Sequence, residues 1–203
     1  LFRSIDVDGN ATIGQITMGD TTNTATSNPA SLFDVDARNI IFQGDGASGY
    51  DFTYGVDDSA ANHTVNLVFD ATGDITFTNL AVDNGGSGND PLNVSLSANT
   101  TDGVITFNGT DTLWLSGGSF TATGHDFILN ASEIGSEGGI VTIGTVESSL
   151  TGSYSGSNGR IDTTKGGGAS GNIYIRADED VDLGYFSHSK HGNESTSTQN
   201  FEF

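Results

Sequence analysis

The chain has 203 residues, which is the length of one domain, and it contains no cysteine, so disulfide bonds and thiolate metal sites are excluded. Its 26 acidic and six basic residues give a formal charge of −20, which repels nucleic acid phosphates and anionic lipid and argues against both as partners. Only 34% of the residues are hydrophobic and no apolar run reaches about eighteen residues, so neither a wide globular core nor membrane insertion is expected.

Two short phrases with the two-residue period of a β-strand return in fixed order along the chain. The first places two apolar residues around a variable one and ends, after another variable residue, on a small Ala or Gly; it spans residues 5–9, 33–37, 67–71, 94–98, 127–131 and 173–177. The second places apolar residues around one variable position and spans residues 16–18, 40–42, 75–77, 105–107, 141–143 and 181–183. Because side chains alternate along a strand, both phrases predict strands with one apolar face.

The spacing of the phrases indicates how these strands are arranged. The small residues that end the first phrase are 28, 34, 27, 33 and 46 positions apart, and one repeat holds too little strand to form a sheet alone. Stacking the repeats in parallel gives each strand a partner in the next repeat. The sequence therefore predicts an all-β, single-domain β-solenoid of about six irregular coils over residues 1–203, with small residues at tight corners and loops of unequal length.

A β-sandwich is the alternative fold, because it also consists of short strands separated by turns. Its hairpins would use Asn-Gly or Asp-Gly turns, and such pairs occur at residues 8–9, 84–85, 102–103 and 108–109. A sandwich gives no reason for two phrases to return in the same order, so the pattern favours the solenoid.

The two ends of the sequence have the pattern of strands. The chain starts almost directly in the first phrase, with Ile5 and Val7, and it finishes on Phe201 and Phe203, which have the spacing of another strand. Neither end shows an amphipathic helix that would cap a solenoid. Since the first residue is Leu1 rather than Met, we expect either a slice of a longer rod or copies that join end to end by strand addition at these residues.

One glycine-rich segment, at residues 85–93, fits the nonapeptide pattern G-G-x-G-x-D-x-U-x of calcium-binding β-helices. In such turns the carboxylate, here Asp90, and backbone carbonyl oxygens bind the cation. A complete site needs neighbouring copies, and the nearest imperfect one lies far away at residues 46–51. The segment thus has two interpretations, a calcium site at Asp90 or a glycine-rich loop, and no other cofactor is expected.

Two aromatic residues alternate with apolar neighbours and are candidates for ligand contact. If Leu113 and Leu115 point inward, Trp114 faces solvent, where an indole serves for stacking on a sugar or contacting a protein. Tyr174 alternates in the same way. The alternatives are that both rings pack against neighbours within the sheet, or that Trp114 is buried in the opposite register.

Acidic clusters at residues 57–58 and 178–182 raise the alternative of an enzyme that cleaves polysaccharide with paired carboxylates. Enzymes that act on acidic polysaccharides need cations to hold uronates, and the chain has only six basic residues. Acidic turns are the simpler interpretation, so no catalytic residue is predicted. The polar segment 187–199, which contains His188 and His191, is predicted to be mobile rather than a metal site.

The phrases and their Thr-, Asn- and Gly-rich connectors resemble the haemagglutinin-type repeats of large secreted bacterial adhesins, above all at residues 73–79, 103–109 and 168–175. The resemblance covers about residues 33–185. It implies a right-handed parallel β-helix that is exported as part of a long fibrous rod. A secretion domain typical of that family is not recognisable, which leaves the route of export open.

The expected function is therefore that of a non-enzymatic extracellular or cell-surface protein, a β-solenoid segment of a surface adhesin or self-assembling fibre. Its expected partners are further copies, the rest of a longer chain, glycans, or a host or neighbouring cell surface. The alternative function is a carbohydrate-binding or polysaccharide-cleaving β-helix protein. Filament formation would distinguish the first from the second.

Overall fold

The computed structural model describes residues 2–18, 31–44, 52–54, 64–80, 82–83, 91–109, 112–145, 147–156, 159–163, 171–183 and 185–187. Within these ranges the chain forms β-strands and no helix, and every strand pairing is parallel. Accordingly, no helix in the described ranges has the length and apolar character that crossing a membrane requires.

The strands follow one another in groups of three, and we call each group a coil. In chain order the strands are β1 (Phe2–Asp6), β2 (Asn10–Ile13), β3 (Ile16–Met18), β4 (Ser31–Ala37), β5 (Asn39–Gln43), β6 (Phe52–Tyr54), β7 (Val65–Ala71), β8 (Ile75–Thr78), β9 (Val82–Asp83), β10 (Leu92–Ser97), β11 (Val104–Asn108), β12 (Thr112–Trp114), β13 (Phe120–Thr123), β14 (Asp126–Asn130), β15 (Glu133–Gly135), β16 (Val141–Ile143), β17 (Tyr154–Ser155), β18 (Arg160–Asp162), β19 (Ile173–Ile175), β20 (Val181–Asp182) and β21 (Tyr185–Ser187).

Each strand pairs with strands one coil away, so the sheets run along the stack of coils. The first sheet has the order β1-β4-β7-β10-β13-β16-β19, and the second has the order β2-β5-β8-β11-β14-β17-β20. The third strands form two shorter sheets, β3-β6-β9 and β12-β15-β18-β21. The described strands thus make seven stacked coils in register, and the predicted all-β, solenoid-like arrangement is confirmed.

The predicted number of coils and the assignment of some phrases are wrong. The described residues form seven coils with three strands each, not about six with two. The coil that begins with β13 was missed, because its phrase at residues 120–123 has Ala122 as its second inward residue. As a result residues 127–131 belong to the second sheet and 141–143 to the first, the reverse of the prediction, and residues 16–18 form a third strand.

The hairpins that a β-sandwich requires are not formed by the described residues. Asp8 and Gly9 lie between β1 and β2, which belong to different sheets, and Asp102 and Gly103 likewise lie between β10 and β11. The pair at 108–109 consists of the last residue of β11 and the residue after it, and it precedes β12 of another sheet. The pair at 84–85 lies outside the described residues. Parallel pairing between coils takes the place of hairpins.

The core is a narrow column of apolar side chains between the sheets. Strand β7 shows the alternation clearly, with every second side chain buried. In the second sheet Phe42, Phe77 and Phe107 lie opposite one another, with ring centroids 6.2 Å and then 4.3 Å apart. Phe127 and Tyr154 continue the column at 5.8 Å steps. Burial of apolar side chains is the dominant favourable term in folding, and these large rings contribute to it.

Side-chain amides add a second link between coils. The Nδ2 of Asn39 donates to Oδ1 of Asn10 at 2.9 Å, and Asn93 donates to Asn66 at 3.1 Å in the same way. In both cases the two residues are direct partners in the strand register. These two bonds join amides that the register aligns, so they favour that register.

Candidate functional site

The predicted contact and end residues lie on different faces of the stack. Trp114 ends β12 on a third strand, whereas Tyr174 lies in β19 of the first sheet. Ile5 is half-buried against the core and pairs with Val35, while Val7 is 39% exposed and its N–H donates to the Asp36 carbonyl at 3.0 Å. The remaining predicted positions, namely Asp90, Phe201, Phe203, residues 57–58 and residues 188–199, lie outside the described residues.

The acidic segment 178–182 is held by hydroxyl groups of the preceding coil. Ser149 Oγ donates to the Asp178 carboxylate at 2.6 Å, and the Asp180 N–H donates to Ser153 Oγ at 3.3 Å. The Asp180 carbonyl in turn accepts from the Tyr154 N–H at 2.9 Å. These bonds join consecutive coils at residues 178–180, and the segment continues into β20.

A column of carboxylates lies on the outer face of the first sheet. Asp6, Asp36 and Asp70 are direct register partners in β1, β4 and β7, and Asp34 lies two residues before Asp36 on the same face. One carboxylate oxygen from each of Asp34, Asp36 and Asp70 lies within 4.8 Å of those of the other two. We call these four residues the acidic column. Like charges directly opposite each other on adjacent strands are destabilising.

A surface groove of about 330 Å³ runs beside this column. Asp6, Asp36 and Asp70 line it together with Asp8 and Arg38. Carboxylate oxygens are the ligands that hard cations prefer, but calcium takes about six to eight oxygens. The direct consequence of the arrangement is therefore repulsion among these carboxylates, which destabilises this face of the stack.

Burial and mutual repulsion both raise carboxyl pKa values in the acidic column. Burial raises the pKa of Asp34, the charges of Asp36 and Asp70 raise it further, and a backbone hydrogen bond from Val35 opposes them. Burial and the charge of Asp36 also raise the pKa of Asp70, against a hydrogen bond from Ser97. Because these folded-state values exceed the unfolded ones, the folded protein binds the protons more tightly. Stability therefore rises as the pH falls through the raised pKa values, and at neutral pH the two carboxylates destabilise the fold.

Replacing the middle carboxylate of the column, by Asp36→Asn, is expected to stabilise the protein at pH 7. The amide removes the charge that raises the pKa of both Asp34 and Asp70. We expect Tm to rise by about 2–4 °C, and NMR titration should show lower pKa values for Asp34 and Asp70.

The matched control is Asp102→Asn, which removes an exposed carboxylate outside the column. It should leave Tm and both titrations unchanged. In 1 M NaCl, where the Debye length is about 3 Å, the advantage of Asp36→Asn should shrink. An unchanged or lowered Tm for Asp36→Asn at low salt would show that repulsion does not control this wall.

Trp114 faces outward, as the alternation predicted, and it is 39% exposed while Leu113 and Leu115 are buried. The register places Gly135 of the next coil directly beside it. A Cβ on Gly135 would come within 2.5 Å of Cε3 and Cζ3 of the indole, so the ring lies against the bare backbone of that glycine. The indole thus packs on this glycine and stays partly exposed to solvent.

A charged cluster that the sequence analysis missed lies on the same face as Trp114, on the next two strands of this sheet. The Nη1 of Arg160 is 3.5 Å from Oε2 of Glu133, and its Nη2 donates to the carboxylate of Asp162. Glu133 and Arg160 are register partners, and Asp162 pairs with Gly135, the neighbour of Trp114. The sequence contains one sign of this cluster, because a polar residue followed by Ile occurs both at residues 133–135 and at 160–162. The unequal spacing between coils makes the two segments hard to recognise as a repeat.

Glu133 is the constrained member of this cluster. Burial raises the pKa of its carboxyl, Arg160 opposes that change and Asp162 adds to it. Its Oε1 is buried without a hydrogen-bond partner, an arrangement that costs free energy. The cluster therefore presents a charged guanidinium, which is 44% exposed, on the same face as the indole and two strands away from it. A face that carries both groups can bind polar ligands that have one apolar side.

Tyr174 lines a second surface groove, formed by the first sheet and the corner that follows β16. Its partner in the register is Thr142, and Asn172 Nδ2 donates to its hydroxyl oxygen at 3.0 Å. The predicted contact residue is therefore half-buried and fixed rather than freely exposed. Trp114 and Tyr174 belong to separate surfaces.

Comparison of this chain with protein-family models, curated proteins and solved structures finds no match.

Proposed function

We propose that this protein is a non-enzymatic extracellular structural or adhesive protein, a β-solenoid segment of a surface adhesin or self-assembling fibre. The observation that carries the proposal is the parallel, in-register stacking of three-stranded coils throughout the described residues. Such a stack is quasi-one-dimensional, because each coil contacts only its neighbours, and it extends by adding coils. The resemblance to haemagglutinin-type repeats supports the extracellular location.

The finer fold that we propose is a right-handed parallel β-helix. Connections between parallel strands of one sheet are right-handed in about 98% of cases, and here each sheet gains a strand only after the chain has passed through the others. The resemblance to the adhesin repeats supports the same handedness.

End-to-end association by strand addition is the proposed mode of assembly. Among the described residues, β1 and β19 are the outermost strands of the first sheet, and strand addition would take place at the edges of such strands. The charge of −20 disfavours side-by-side contact of the walls. The proposed contacts at one end are Ile5 and Val7, and those at the other are Phe201 and Phe203.

Electron microscopy of the purified protein, combined with light scattering over a range of concentrations, tests this proposal. We expect filaments that have the width of a single stack of coils, or a molecular mass that increases with protein concentration. Adding a calcium chelator tests whether Asp90 or the acidic column needs the cation for assembly. A protein that is monomeric at every concentration and releases saccharide from polysaccharides, with the release abolished by Asp→Ala changes, would contradict the structural role.

Recognition of carbohydrate is the second candidate function, and it is favoured by the partly exposed ring of Trp114 on the same face as Arg160. An aromatic surface supplies a stacking partner for the apolar side of a sugar ring, and the guanidinium supplies donors for its hydroxyls. In an adhesin the two functions coexist, since the coils supply the shaft and the outer residues supply the contacts.

A further inference from the structure

The groove beside Tyr174 has the size and composition of a binding site for a small ligand. Its volume is about 260 Å³, and Thr142, Gly144, Thr145, Glu147, Tyr174 and Arg176 contribute to its walls. Ligand sites of drug-sized molecules span about 300–1,000 Å³. The groove therefore matches a single small ring rather than an extended ligand.

The far wall of the groove is an ordered corner. Gly144 has a φ of +71°, and its N–H donates to the carbonyl of Ala122 in the preceding coil at 2.8 Å. Thr145 closes a short turn, since its Oγ1 accepts from the Ser148 N–H at 2.8 Å and its own N–H donates to the Ser148 carbonyl at 2.6 Å. The groove is thus pre-formed, which lowers the entropic cost of binding.

The near wall is fixed by the strand ladder. The Arg176 N–H donates to the Ile143 carbonyl at 2.8 Å, and the Arg176 carbonyl accepts from the Leu150 N–H at 2.9 Å. Tyr174, two residues before Arg176, is held by the bond from Asn172 to its hydroxyl. Both side chains therefore project from a segment whose backbone is bonded to the preceding coil.

We propose that this groove binds one pyranose ring of an uncharged glycan, stacked on Tyr174. This inference rests on the second function proposed above, recognition of carbohydrate, and not on fibre formation. A pyranose has an apolar side for an aromatic ring and hydroxyls around its edge, and those hydroxyls meet the Thr142 and Thr145 hydroxyls and the charged groups of Glu147 and Arg176.

The charge of the protein selects against anionic sugars. With a net charge of −20 and Glu147 in the groove itself, uronates and sulfated glycans are repelled. We therefore expect neutral hexose and N-acetylhexosamine oligomers to bind more tightly than polygalacturonate of the same length.

The test is NMR titration of the ¹⁵N-labelled protein with cellohexaose, chitohexaose, maltohexaose, mannohexaose and oligogalacturonate, each up to about 10 mM, which detects dissociation constants in the millimolar range. We expect at least one neutral oligomer to shift the amides of residues 144–150 and 172–176. Tyr174→Thr should weaken this binding about fivefold or more, and Tyr174→Phe should keep it within about twofold.

Threonine is chosen because the register partner, Thr142, already occupies this column, so the variant keeps a good strand residue. A folded Tyr174→Thr protein that binds as tightly as the wild type would overturn the inference, as would the lack of any shift with all four neutral oligomers. Trp114→Ala separates the two proposals. Binding that depends on Trp114 and not on Tyr174 refutes this groove but supports carbohydrate recognition, and an absence of binding anywhere refutes both.

Discussion

The substitution Phe107→Ala is expected to lower the free energy of unfolding by about 3–5 kcal/mol. Phe107 is 2% exposed, and its ring is the most closely packed in the aromatic column, with the Phe77 centroid at 4.3 Å. The rings of Phe120 and Phe127 lie at 6.0 Å and 5.8 Å on its other side. Removing the ring therefore leaves a cavity between two coils that the strand ladders do not allow to collapse.

Equilibrium unfolding in urea, followed by far-UV circular dichroism, measures this loss. Phe33→Ala is the matched control, because Phe33 is 8% exposed near one end of the stack and its ring meets Phe69 edge-on at 6.4 Å. Its loss should be smaller. In a stack of coils a weak central coil also uncouples the two halves, so Phe107→Ala should broaden the transition or split it in two. A loss below about 1.5 kcal/mol, or the same loss in both variants, would count against a continuous aromatic column.

The sequence predicted best those coils whose strands carry two strongly apolar inward residues. Strands β7, β8, β10 and β11 were predicted with nearly their true bounds. In these strands Ile, Leu, Val and Phe lie at alternate positions, which fits the two-residue period of a strand and not the period of a helix. Prediction failed where one inward residue is small or where the strand is very short. Strand β17 has only two residues, Tyr154 and Ser155, and β15 has Ile134 as its single large apolar residue.

The candidate sites were harder to predict than the coils, for a physical reason. Exposure of Trp114 follows from alternation within one strand, which a sequence shows directly. The contact of Arg160 with Glu133 and Asp162 depends on the register between coils, and unequal loops make that register unreadable from spacing alone. The groove at Tyr174 depends on the same kind of long-range placement, since its far wall comes from the preceding coil's corner.

Two corners of the stack share one turn with an unusual backbone conformation. In the first, Ser116 and Gly117 have φ of +48° and +91°, and the Gly118 N–H donates to the Leu115 carbonyl at 2.8 Å. One coil later Glu137 and Gly138 have φ of +50° and +98°. Positive φ at both central residues, closed by a bond between the first and fourth residues, is the pattern of a type I′ turn. In the sequence, each of these turns is marked by a polar residue before Gly-Gly, at residues 116–118 and 137–139.

The glycine that ends these turns is required by contact between coils. A Cβ on Gly139 would overlap the carbonyl oxygen of Gly118, and a Cβ on Gly171 would overlap the carbonyl oxygen of Gly139 in the same way. These neighbours are backbone atoms that are held by the turn and the strand ladders, so they cannot move aside as a flexible side chain would. We therefore expect Gly139→Ala to destabilise the protein by about 3 kcal/mol or more.

Gly14→Ala is the matched control for Gly139→Ala, because a Cβ on Gly14 meets nothing within 4 Å. That change should lie within about 0.5 kcal/mol of the wild type, or stabilise slightly by restricting the unfolded chain. Urea unfolding of both variants measures the difference. If the two alanines cost the same, the effect belongs to the intrinsic preference of glycine for turns. If only Gly139→Ala is costly, the close approach of consecutive backbones at this corner sets the alignment of the coils, and through it the surfaces at Trp114 and Tyr174.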